Sequence, residues 1–228
     1  MLDEASIKSI TTEDIEIAAE TLLEQYRITS KREEFPILVE NIAEQFLGYS
    51  IDITDEGLFS NPKLLGGISF ETDTIFVNAS IEDHEGRYNF TIAHEIGHHV
   101  LHREIFCNGV NIEDKILCRE VSSKPLVEQQ ADRFAAALLM PRKDMINATS
   151  GQQSKSIYEA LKVARSVQRK LKIDNVSVSA IINRLKDLNL LHQTIPYQSG
   201  KNWRKERKKH SLMPMLRRLI QLKKKLSS

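Results

Sequence analysis

Cysteine is nearly absent from this 228-residue chain: Cys107 and Cys118 are the only two. That is too few for a disulfide framework and fits a reducing compartment, so both are expected to be free thiols. Long apolar runs are missing as well, and no window approaches the roughly 18 apolar residues that span a bilayer. The first residues, MLDEASIKSI, are acidic and lack the apolar stretch of a secretory signal. A membrane span is therefore excluded at this stage, and a cytoplasmic location is expected. Internal repeats are lacking too, and low-complexity sequence is confined to residues 201–228.

What remains reads as globular. A hydrophobic content of 41% supports one sizeable domain, or one domain with a small helical appendage. The formal net charge of +1 conceals an asymmetry, because residues 201–228 hold eleven Lys or Arg against one Glu, leaving −9 on residues 1–200. Within that tail, Leu216, Leu219, Ile220 and Leu226 recur at helical spacing beside Arg217, Arg218 and Lys223 to Lys225, the pattern of a basic amphipathic helix. Such a segment suits an acidic partner, be it nucleic acid, a membrane surface or the protein's own acidic body, with a solvated terminus the plainer alternative.

Periodicity predicts the elements. In TTEDIEIAAETLLEQYRI, residues Ile15, Ala18, Ala19, Leu22, Leu23 and Tyr26 form one helical stripe behind a Thr11–Asp14 capping box. Pro36 opens a second helical pattern on Leu38, Ile42, Ala43, Phe46 and Leu47, which Gly48 ends. The period then becomes two: YSIDITDE, LLGGISFE and DTIFVNAS are short strands, the last two joined by a hairpin at Glu71-Thr72-Asp73. Helical spacing returns from about Asp83 to Arg103, where Phe90, Ala93, Gly97, Val100 and Leu101 are available for burial. A long polar connection from Glu104 to Pro125 leads to VEQQADRFAAALLMP, a helix stopped at Pro141. Two amphipathic helices follow, the second capped by Ser177 or Ser179. The fold class expected is α+β, with a small, mainly antiparallel sheet.

The chemistry concentrates in TIAHEIGHHVLH. On a helix, His94 and His98 leave one face a turn apart and can share a tetrahedral ion, while Glu95 reaches the open position without being a ligand. The bland alternative is a chance match on a solvated face. A catalytic zinc site needs a third protein ligand. The spacing of the three-histidine variant is excluded, since Leu101 and Glu104 occupy its Gly and His positions. His102 lies one turn beyond His98, but three turns of a straight helix wrap an ion poorly, so it reads as a supporting residue. Cys107 and Cys118 flank a loop and read as bland thiols. Glu128, opening an otherwise Ala- and Leu-rich helix, is the strongest candidate, and Asp132 one turn on can accept a ring N–H from His94 or His98. The alternative for both is simple stabilisation of a helix N-terminus.

Taken together, RYNFTIAHEIGHHVLH and EQQADRFAAALLMP resemble the ImmA/IrrE family of zinc metallopeptidases. LGGISFETDTIFVNAS and VSVSAIINRLKDLNLL are similar as well, so the resemblance spans about residues 10–192 and omits the tail. It implies a compact zincin-like core, taken as residues 1–140, and a helix-turn-helix-like unit at 141–200, while composition alone sets apart the basic tail at 201–228. It also implies one Zn2+ held by His94, His98 and Glu128, with Glu95 the catalytic base and Asp132 an orienting partner. Gln130 and Asp132 stand where other members often carry Glu and Asn. The activity implied is cleavage of a helix-turn-helix repressor that silences mobile-element or stress genes.

For oxyanion or substrate contacts, the residues on offer near the motif are Tyr88, His99 and His102. A competing reading is a non-catalytic module with a structural zinc site that displaces a regulator by docking, aided by the tail. Glu95 has no purpose in that reading, and structural zinc favours cysteine.

Overall fold

The computed structural model describes residues 4–33, 35–109, 116–120, 125–149, 154, 156–192 and 195, and the basic segment 201–228 lies outside them. Helix α1 (Glu4–Ser9) precedes α2 (Thr12–Ser30). The capping box forms as expected: the Thr11 hydroxyl accepts from Asp14 N at 3.2 Å, and Thr11 N donates to Asp14 Oδ2 at 2.8 Å. Ile15, Ala19, Leu22, Leu23 and Tyr26 are buried along one stripe.

The second helical pattern is shorter than its apolar spacing suggests. Helix α3 (Val39–Asn41) runs directly into a π-helical turn, Ile42–Phe46, and Gly48 closes it at φ +78°. Leu38 sits at the N-cap with non-helical backbone, so it falls outside the helical period and is exposed, while Val39 is fully buried in its place.

The sheet holds four strands in the order β1-β3-β2-β4: β1 (Ser50–Thr54), β2 (Leu64–Ser69), β3 (Thr74–Asn78) and β4 (Ile116–Glu120). The β2–β3 hairpin is antiparallel, turning through Asp73 at φ 45°. β4 also pairs with β2 antiparallel. β1 instead pairs with β3 in parallel, Ile51 opposite Ile75, because the hairpin turns β3 back along β1. β4 lies within what reads in the sequence as a polar connection; its apolar run, Ile116-Leu117-Cys118, is too short to signal a strand by itself.

Helix α4 (Glu85–Gly109) extends past Arg103, and every residue from Thr91 to His98 is buried. It packs on β2 and β3 on one side and on α5 (Leu126–Leu139) on another, with α2 against both helices. Pro141 separates α5 from α6 (Arg142–Thr149), a short polar helix with no clear apolar period. Helices α7 (Ile157–Leu171) and α8 (Val178–Asp187) follow, capped by Ser156 and Ser177. One buried cluster joins Ile15, Ile75, Ile96 and Phe134 to Val167, Ile181 and Leu185, so the core continues across residue 140. Among the described residues, no helix is long and apolar enough to cross a membrane.

Candidate metal centre

Two glycines let the elements of this centre approach. At Gly97, inside the His94–His98 turn, an added Cβ would stand 3.2 Å from Ala131 Cα and Phe134 Cβ, so α4 and α5 meet there backbone to backbone. At Gly66 on β2, an added Cβ would overlap Thr91 Cγ2 and lie 3.1 Å from Glu95 Oε1. The helix therefore lies close on the sheet, with the Glu95 carboxylate against β2. Glu95 is fully buried.

The crossing at Gly97 brings the start of α5 over the two histidines. His94 Nε2 lies 3.1 Å from Glu128 Oε2, His98 Nε2 lies 3.2 Å from Glu128 Oε1, and the two Nε2 atoms are 3.1 Å apart. Three donors around a tetrahedral ion with bonds of about 2.0–2.1 Å stand about 3.3 Å from one another. The donor set, two imidazoles and a carboxylate, is thus both of the right chemistry and at the right separation for zinc. Among the described residues it is the one group of three or more such side chains able to hold a metal ion, and all three are buried.

Electrostatics favour the metal-binding forms. Burial pushes His98 below the ordinary imidazole range, outweighing its hydrogen bond with Glu128. Burial also works to raise the Glu128 carboxyl, but hydrogen bonds and charge from His94 and His98 overcome it and hold the group well below the usual carboxylate range. Neutral imidazole and ionised carboxylate are the states that coordinate.

The supporting residues lie behind these three. His94 Nδ1 is 3.1 Å from Asp132 Oδ1, so a ring N–H donated there turns the Nε2 lone pair toward the centre. His102, fully buried, has Nδ1 3.1 Å from His98 Nδ1 and Nε2 3.0 Å from Gln130 Oε1. With both nitrogens engaged inside the protein, it has none to offer an oxyanion. Burial lowers its pKa to about 4.

Tyr88 and His99 belong to other neighbourhoods. The Tyr88 hydroxyl, two turns before Glu95, donates to Glu40 Oε1 at 2.7 Å. His99 points off the metal-facing side of α4 and pairs with the Tyr49 hydroxyl at 2.9 Å, where Arg103 also donates to Tyr49 at 3.0 Å and to Asp73 at 3.1 Å. Cys107 is exposed near the end of α4, outside the metal group, and Cys118 lies on β4. Gln130 is the residue that sequence reasoning undervalued. The available signal was an amide on an apolar helix, two residues from Glu128, at a position now seen to be buried.

No match to a curated protein was found. Residues 50–185 match the profile of the IrrE N-terminal-like domain of peptidase family M78, a stretch that contains the sheet, both helices of the centre, α6, α7 and most of α8. The chain therefore belongs to this family of zinc metallopeptidases.

Proposed function

We propose that the protein is a zinc-dependent endopeptidase that cuts a protein partner, a helix-turn-helix transcriptional repressor, and so releases the genes it silences. The observation that carries this reading is the Glu128 carboxylate set between two imidazole Nε2 atoms at 3.1 and 3.2 Å, with Glu95 next in sequence to the first of them. Zinc bound there supplies a Lewis acid that polarises a carbonyl and acidifies water. His94, His98 and Glu128 would hold the ion, and Asp132 fixes the His94 ring. Glu95 takes a proton from the attacking water as its oxygen bonds to the carbonyl carbon. The same carboxyl then passes that proton to the amine nitrogen as the C–N bond breaks. A buried, water-poor position against β2 strengthens each of these electrostatic contacts. The substrate class rests on the family resemblance. Residues 141–200, which include helices α6 to α8, are the part of the chain read as helix-turn-helix-like, and segment 201–228 is proposed to hold nucleic acid near the substrate.

The test is co-expression with a candidate helix-turn-helix regulator, with Glu95→Gln as control, following the regulator by intact mass. Cleavage at one bond by the wild type alone is the expected result. An intact regulator in both, with zinc bound, would favour docking without hydrolysis. A salt-sensitive DNA shift that disappears when residues 201–228 are removed tests the tail.

A further inference from the structure

The hydrogen bonds behind His98 have a direction, and it is set at the far end. The Gln130 side-chain nitrogen lies 2.8 Å from Ile7 O, in the last turn of α1, and 3.3 Å from Ile10 O, just after that helix. Backbone carbonyls only accept, so the amide nitrogen of Gln130 must face them and its Oε1 must face His102. The His102 Nε2, 3.0 Å from that oxygen, must then carry the proton. Its Nδ1 is left bare, and the only proton available to the 3.1 Å contact with His98 Nδ1 is the one on His98. With that proton on Nδ1, His98 has its Nε2 to offer to an ion held beside Glu128 and His94. A tautomer at the metal-binding atom is thus dictated by two main-chain carbonyls of the N-terminal segment, through side chains that are 0% and 3% exposed.

Resting on the metallopeptidase reading above, we infer that His102 and Gln130 are positioning residues that tie zinc binding by His98 to the docking of residues 7–10. Linkage makes this reciprocal: zinc steadies the N-terminal segment on α5, and any partner that draws that segment away loosens the zinc. A neutral amide is required at 130. Glutamate there would still accept from His102 but would set a carboxylate against the carbonyls of Ile7 and Ile10, cutting the chain at its outer end.

Two measurements on the full chain test this. Nitrogen-15 NMR of the histidine rings of zinc-loaded wild-type protein should find His102 as the Nε2–H tautomer; the Nδ1–H tautomer there would overturn the inference without any variant. Amide exchange of residues 7–10, with and without zinc, should slow several-fold on zinc binding in the wild type and be unresponsive in Gln130→Glu. In His102→Leu, zinc affinity measured by chelator competition should fall about 10–100-fold. Equal slowing in wild type and Gln130→Glu, or no slowing in a wild type that binds zinc, sinks the coupling. Wild-type protein that binds no zinc removes the metallopeptidase reading and this inference together. Zinc bound with coupling intact but no hydrolysis leaves the inference standing and removes only the catalytic claim.

Discussion

Glu95, Glu128 and Asp132 are three acids within one small volume, and their surroundings give them three different tasks. Glu128 is held ionised between two imidazoles, so Glu128→Ala should abolish stoichiometric zinc binding, whereas Glu95→Gln should retain zinc and lose turnover. Asp132 acts through His94, and Asp132→Ala should weaken zinc by about 10–100-fold in chelator competition, leaving the fold intact. A separate prediction concerns tyrosine ionisation. Burial raises Tyr49 to about 12, and burial together with the Glu40 contact raises Tyr88 above the ordinary phenol range. Both acids thus stabilise the fold fully below about pH 10 and lose that contribution as pH rises toward their folded values. Ultraviolet titration should therefore register two of the five tyrosines ionising only at or beyond the onset of alkaline unfolding.

At the scale of elements, the centre depends on how closely α4 lies to its neighbours. Gly97→Ala asks α5 to withdraw by a few tenths of an ångström at the point where Glu128 must reach the histidines. The expected cost is about 1–3 kcal/mol in denaturant unfolding, with a weakened zinc site beside it. Gly66→Ala should cost a similar amount, about 1–3 kcal/mol, because Thr91 is fully buried and cannot swing clear. By contrast, Thr11→Ala removes an exposed cap at the start of α2, and about 1 kcal/mol of stability should go without change in zinc affinity. A larger effect of Thr11→Ala than of Gly97→Ala on zinc would contradict this placement of the strain.

Across the whole molecule, a buried ion pair joins the first long helix to the last helix among the described residues. Arg184 on α8 donates to both carboxylate oxygens of Glu16 on α2, at 2.8 Å through Nη2, and its Nε donates to Met140 O at 3.0 Å. Glu16 and Arg184 are 5% and 3% exposed, so Glu16→Ala strands a buried guanidinium and should cost about 3–5 kcal/mol. Because the core runs across residue 140, that loss should appear as one cooperative transition with a lowered midpoint, in which zinc site and helices α6 to α8 melt together. Two separated transitions would argue for independent units at that boundary.

Much of this was written in local sequence. The α2 stripe, its capping box, the β2–β3 hairpin and the stop at Pro141 follow from period, turn chemistry and backbone sterics, which act between residues a few positions apart. His94, Glu95 and His98 were legible for the same reason, since one helical turn brings them together, and Glu128 stood out as a carboxylate opening an otherwise Ala- and Leu-rich helix. The parallel pairing of β1 with β3, the strand at 116–120, the exposure of Leu38 and the chain from His98 to Ile7 were not legible. Each of these depends on which distant segments meet. Gln130 is an ordinary amide until the fold sets it 3.0 Å from His102 and 2.8 Å from a carbonyl more than a hundred residues away. Sequence by itself therefore singled out the candidate ligands and the two helices that carry them; the tertiary structure decided their spacing and what stands behind them, because long-range hydrogen bonds and close backbone approach exist only once separate elements are packed.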